Sequence, residues 1–76
     1  MEVKVYSTQT CPYCHKAKDY LSSLGVSFTD IDVASNPALA EEMVKLSGQM
    51  GVPVISIDGE VVVGFDKGRI DSLLNK

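Results

Sequence analysis

At 76 residues the chain has room for one domain, residues 1–76, and for no second core or long linker. Hydrophobic residues at 45% and charged residues at 22% are ordinary for a folded protein and exclude a disordered chain or a coiled coil. A net charge of −3 without a basic stripe argues against nucleic acid or an anionic membrane surface as partner. No apolar run approaches the ~20 residues that span a bilayer, and Met1 to Tyr6 alternates like a strand rather than a signal peptide. The expectation is a soluble, cytoplasmic monomer.

Strand and helix signals then alternate along the chain. Val3 and Val5 mark a first strand, and Ser7 to Thr10 a polar loop. Pro12 suits a first helical turn, and Cys14, Ala17, Leu21 and Leu24 follow at helical spacing, with Gly25 as a left-handed stop. Val26 to Val33 reads as a second strand with Phe28, Ile31 and Val33 as its bulky members. Asn36-Pro37 opens a second helix whose apolar face is Leu39, Met43, Val44 and Leu46, ending at Gly48. Val54 to Ile57 and Glu60 to Val63 flank Asp58-Gly59, a strong hairpin signal. Asp66 is the expected N-cap of a last helix carrying Ile70, Leu73 and Leu74. The order βαβαββα combines a parallel crossover with an antiparallel hairpin. An α/β fold with a mixed four-stranded sheet packed by helices follows.

The chain has two cysteines, Cys11 and Cys14, directly after the first strand and at the start of a helix. A structural disulfide is disfavoured by a reducing compartment and by the small entropy that so short a loop removes. Structural zinc wants four ligands, and the only adjacent soft ligand is His15, so the alternative of a non-enzymatic zinc or iron–sulfur scaffold would have to be built between two chains. Redox catalysis fits the placement best. Cys11 falls where a helix presents unpaired N–H groups and its positive dipole end, which favour a thiolate nucleophile. Cys14, one turn further in, is shielded and suits a resolving thiol. Lys16, Lys18 and His15 add positive potential nearby, although solubility alone accounts for them.

Val52-Pro53 stands directly before the third strand, where proline is tolerated as a first residue or at an edge. With Cys11-Pro12-Tyr13-Cys14, Val52-Pro53 and Gly64-Phe65-Asp66 in this order, the chain resembles the glutaredoxins over essentially its whole length. The resemblance implies a thioredoxin-like fold, a cis peptide before Pro53, and Cys11 and Cys14 as nucleophile and resolving thiol. It implies a glutathione groove formed by Tyr13, the Val52 backbone, Pro53, Gly64, Phe65 and Asp66. The implied activity is reduction of protein disulfides and glutathione mixed disulfides, with glutathione as co-substrate, disulfide-containing proteins as partners, and no bound metal or other cofactor.

The departures bear on the electron donor. Glutathione-using relatives carry lysine where this chain has Thr8, and threonine where it has Gly51. A charge-assisted bond to a glutathione carboxylate contributes roughly 1.5–3 kcal/mol, and Thr8 cannot make it. Lys67 and Gln49 are candidates to replace it in part. The Val63-Gly64-Phe65 stretch is also similar to glutaredoxin-like redoxins, which take electrons from thioredoxin reductase and serve enzymes such as ribonucleotide reductase. Phe65 is the discriminating residue, readable either as a packed corner aromatic or as a partner-docking group.

Overall fold

A computed structural model describes residues 2–49 and 51–75; Met1, Met50 and Lys76, including both ends of the expected domain, lie outside the described residues. The elements are β1 (Val3–Ser7), α1 (Pro12–Ser23), β2 (Thr29–Asp32), α2 (Pro37–Ser47), β3 (Val54–Ile57), β4 (Glu60–Val63) and α3 (Lys67–Leu74). The sheet order is β2-β1-β3-β4. β1 pairs parallel with β2 and antiparallel with β3, and β3 pairs antiparallel with β4. The hairpin closes with Ile57 opposite Glu60. Its two loop residues, Asp58 and Gly59, both have positive φ (49° and 88°), as a tight turn matching strand twist requires.

The alternation of strand side chains divides the core in two. Val3 and Val5 join Ile55, Ile57 and Val62 under Ala17 and Leu21 of α1 and Ile70 and Leu73 of α3. Tyr6 and Val54 turn to the other face, against Met43 of α2 and Val33. Full burial of each such side chain stabilises the fold by about 1.5–3 kcal/mol. With apolar side chains on two faces, the sheet must be covered on both sides.

Three expectations need correction. β2 begins at Thr29, not Val26. The cap of α1 consumes the chain before it: Gly25 has φ +73°, its N–H bonds to Ser22 O at 3.0 Å, and the Val26 N–H returns to Leu21 O at 3.0 Å. That is a Schellman closure, and it leaves Val26 and Phe28 packed beside the α1–α3 core instead of in the ladder. Leu24 is the C-cap of α1 and is exposed, not part of the buried stripe. Leu46 is exposed as well, because Met43 is the buried residue of α2, with Leu39 and Ala40 packed partly beside it.

Candidate active site

Cys11 is the N-cap of α1, with extended φ and ψ of −96° and 110° and Pro12 in the first helical turn. Its sulfur accepts the backbone N–H of Cys14 at 3.2 Å. A side-chain acceptor at this position satisfies one of the helix's unpaired donors. Cys11 is half-buried and Cys14 is fully buried, and both are free thiols. Burial pushes the Cys14 thiol up to about 11, helped by its hydrogen bond to Cys11 and the charge of Cys11; the Thr8 backbone hydrogen bond and Lys18 pull the other way. A partly accessible sulfur that reacts and a buried one that stays protonated can run thiol–disulfide exchange in two steps.

The second strand pair brings the proline motif to the same place. The Val52–Pro53 bond is cis, and Cys11 Sγ lies 3.9 Å from Val52 O. Pro53 O accepts the Gly64 N–H at 2.8 Å, so the end of β4 is tied to the proline. Gly64 holds φ +77°, a conformation that disfavours any residue with a Cβ. Cys11, Cys14, Val52, Pro53 and Gly64 thus form one contact chain from residues up to 53 positions apart in sequence.

The remaining candidates lie around this chain in different settings. Tyr13 is 61% exposed, with Lys16 Nζ 5.1 Å from its ring centroid. Phe65 packs partly buried against the α1–α3 core, edge-on to Tyr20 at 5.9 Å. Asp66 caps α3, its Oδ1 accepting the Arg69 N–H at 3.1 Å. Of the two residues considered as replacements for a missing lysine, Lys67 lies over the Tyr20 ring at 5.1 Å. Gln49 faces Gly51, where a Cβ would meet its Nε2 at 3.2 Å. A cleft of about 320 Å³ beside the cysteine loop is lined by Thr8, Gln9, Thr10, Asp32, Ala34 and Ser35, with no cationic side chain among them.

Lys18 is not a solubility residue. Its side chain is 18% exposed and reaches Asp30 on β2 and Ser7 on β1. The one local signal that sets it apart from Lys16 is its position four residues after Cys14, on the same helix face. Nothing local marked Asp30 or Ser7, because their contacts cross between strands and helix.

The glutaredoxin family model matches residues 3–62. A glutaredoxin-like 8.6 kDa protein of the rubredoxin operon of Clostridium pasteurianum is 53% identical over 74 residues, covering 97% of this chain and 99% of its own. Glutaredoxin 3 of Escherichia coli K12 is 46% identical over 79 residues, covering 95% of each chain. Among solved structures, the glutaredoxin-like NrdH-redoxin of Escherichia coli, described as having a thioredoxin-like activity profile, superposes with a TM-score of 0.86 at 27% identity. That match covers 96% of this chain and 95% of that one. With a thioredoxin-like fold, a cysteine pair at a helix start and a cis-proline beside it, the chain belongs to the glutaredoxin family.

Proposed function

We propose that this chain reduces protein disulfides and glutathione mixed disulfides through Cys11 and Cys14. The observation that carries the reading is the N-terminus of α1, where the Cys14 N–H points at the Cys11 sulfur and the Cys14 thiol is buried behind it. Cys11, as thiolate, attacks a sulfur of the target and releases one thiol. A mixed disulfide remains on Cys11. Cys14 then attacks Cys11, the second target sulfur leaves as a thiol, and the two cysteines close as a disulfide. Forming the mixed disulfide removes the Cys11 charge and weakens the Cys11 sulfur as acceptor of the Cys14 thiol hydrogen bond, two of the influences that hold Cys14 protonated. The resolving thiol is therefore easier to ionise once it is needed. The cycle requires no bound metal or organic cofactor, and the cytoplasm, where thiols are kept reduced, suits it.

The groove built from Tyr13, the Val52 backbone, Pro53, Gly64, Phe65 and Asp66 suits an extended thiol peptide such as glutathione. In it the Val52 backbone lies beside Cys11 and the N-terminal turn of α3 offers its N–H groups to a carboxylate. Cys11→Ser should abolish reduction, whereas Cys14→Ser should accumulate the mixed disulfide, detectable by mass spectrometry. Full activity in Cys11→Ser would sink the assignment.

A second reading concerns the electron donor. The cleft beside Thr8 offers no cation to a glutathione carboxylate, and the redoxin neighbour has a thioredoxin-like profile. Both favour direct reduction by thioredoxin reductase. Two assays on the oxidised protein separate the donors: glutathione with glutathione reductase and NADPH, against thioredoxin reductase with NADPH. Rapid reduction by the first alone supports the glutaredoxin cycle, and reduction only by the second supports the redoxin one. In either case the reduction potential is expected between the ~−200 mV of glutaredoxins and the ~−270 mV of thioredoxin.

A further inference from the structure

One polar cluster has no task in this cycle. Ser7, at the end of β1, is 2% exposed and donates its hydroxyl to Asp30 Oδ1 at 2.8 Å. Lys18 Nζ lies 3.1 Å from Asp30 Oδ2 and 3.5 Å from Ser7 Oγ. β1, α1 and β2 each contribute one member, so the ammonium is held by tertiary structure and not by a neighbouring turn. An exposed lysine needs no such fixing, because surface ion pairs contribute little. Burial of Asp30 would raise its carboxyl, but the hydrogen bonds from Ser7 and Lys18 more than offset this and hold it below the usual carboxylate value.

The cluster is linked to the resolving cysteine along α1 and through the end of β1. Lys18 stands four residues after Cys14, the spacing that puts two side chains on one helix face. Ser7 directly precedes Thr8, whose backbone hydrogen-bonds to Cys14. We propose that Lys18, fixed by Asp30 and Ser7, is a positioning residue that favours the Cys14 thiolate as the Cys11–Cys14 disulfide closes. The inference rests on the dithiol reading above. In that step a bond forms between Cys14 Sγ and Cys11 Sγ, and the bond between Cys11 and the target sulfur breaks. The electron pair leaves with the target sulfur, and the Cys14 proton ends on the departing thiol. The cysteines finish oxidised and the target reduced.

The groups that bear on Cys14 are Cys11 and Lys18 from its own helix and the Thr8 backbone from the preceding loop. Asp30 is tied to Lys18, and His15 is among the charges that hold its carboxyl down. Once Cys11 is tied up in a mixed disulfide, Lys18 is the charged side chain of this set that acts directly on Cys14.

An aromatic disulfide reagent with a coloured leaving thiol separates the two steps. The first equivalent released reports attack by Cys11, and the second reports closure by Cys14. Lys18→Met should slow the second phase about 3-fold for each unit by which the Cys14 pKa rises, since greater nucleophilicity offsets part of the lost thiolate. The deficit should shrink toward alkaline pH, and Lys18→Arg should restore the rate. Asp30→Asn, which keeps the ammonium but unties it, should slow the same phase less, and it carries the test where Lys18→Met does not fold. A second phase with unchanged rate and pH profile in these variants overturns the proposal, as does a Lys18→Arg chain as slow as Lys18→Met. A wild-type chain that releases no second equivalent overturns the dithiol cycle itself, and the proposal with it.

Discussion

Two helices of this protein begin with the same device built from different atoms. At the start of α3 the Asp66 carboxylate accepts the Arg69 N–H at 3.1 Å. At the start of α1 the Cys11 sulfur accepts the Cys14 N–H at 3.2 Å. Each acceptor sits three residues before its donor, where a helix concentrates unpaired N–H groups and positive potential. Aspartate is among the preferred residues there, and cysteine is not. In α3 the cap serves stability and closes the corner after Gly64. In α1 a better cap has been given up for a sulfur, and the potential that would hold a carboxylate acts on a reactive group. The neighbours of the two caps differ accordingly. Asp66 is exposed beside exposed Lys67, whereas Cys11 lies against the Val52 carbonyl with a buried thiol behind it.

The sharpest way to break the comparison is to exchange the atoms. Cys11→Asp should lower disulfide reduction to the uncatalysed background and raise the melting temperature, because a carboxylate cap stabilises a helix by about 0.5–2 kcal/mol relative to a poor one. A Cys11→Asp protein less stable than wild type would show that the α1 terminus is not an ordinary cap site. The next effect belongs to the thiol behind the cap. Cys14 ionises near 11 in the folded protein against an ordinary 9.0. A raised folded-state value means that its stabilisation is complete below 9 and is lost as pH rises toward 11. Reduced wild-type protein should therefore melt progressively lower above pH 9, and Cys14→Ala should flatten that alkaline limb while costing stability elsewhere.

At the other helix, Asp66→Ala should cost about 1 kcal/mol, or roughly 4–8 °C of melting temperature in a domain of this size. Attack of Cys11 on a small aromatic disulfide, which does not occupy the groove, should survive that change. Loss of the attack rate would mean that Asp66 serves the chemistry as well as the fold. The smallest effect lies on the acid side. The Asp30 carboxyl is depressed in the folded chain, so its contribution is present at neutral pH and is lost as pH falls through its folded-state value. Asp30→Asn should flatten the acid limb of a melting-temperature profile only slightly, because the carboxylate is half exposed and screened.

What could be read in advance followed the range of each signal. Asp58-Gly59, Asn36-Pro37, Gly48 and Asp66 are local signals, and the hairpin, both ends of α2 and the start of α3 fall where they indicate. β2 starts later than the apolar, β-prone Val26 and Phe28 indicate, because the Leu21 carbonyl claims the Val26 N–H. Leu24 and Leu46 continue an apolar period past the point where a helix still meets the sheet. At the site, Cys11 and Cys14 announced themselves by spacing. The place of Cys14 one turn into α1 also marks it as the shielded thiol, which it is, whereas the hold on Lys18 and the packing of Phe65 on Tyr20 depend on which strand or helix lies alongside.

By itself the sequence determined the order of elements, their caps and turns, and the pair of sulfurs at a helix start. These are decided within a few residues, by φ preferences, proline's missing donor and side-chain acceptors for unpaired N–H groups. The tertiary structure alone decided that Lys18, and not Lys16 or His15, is held between Ser7 and Asp30. That outcome depends on β1 lying between β2 and β3, a pairing of distant segments that no local preference encodes.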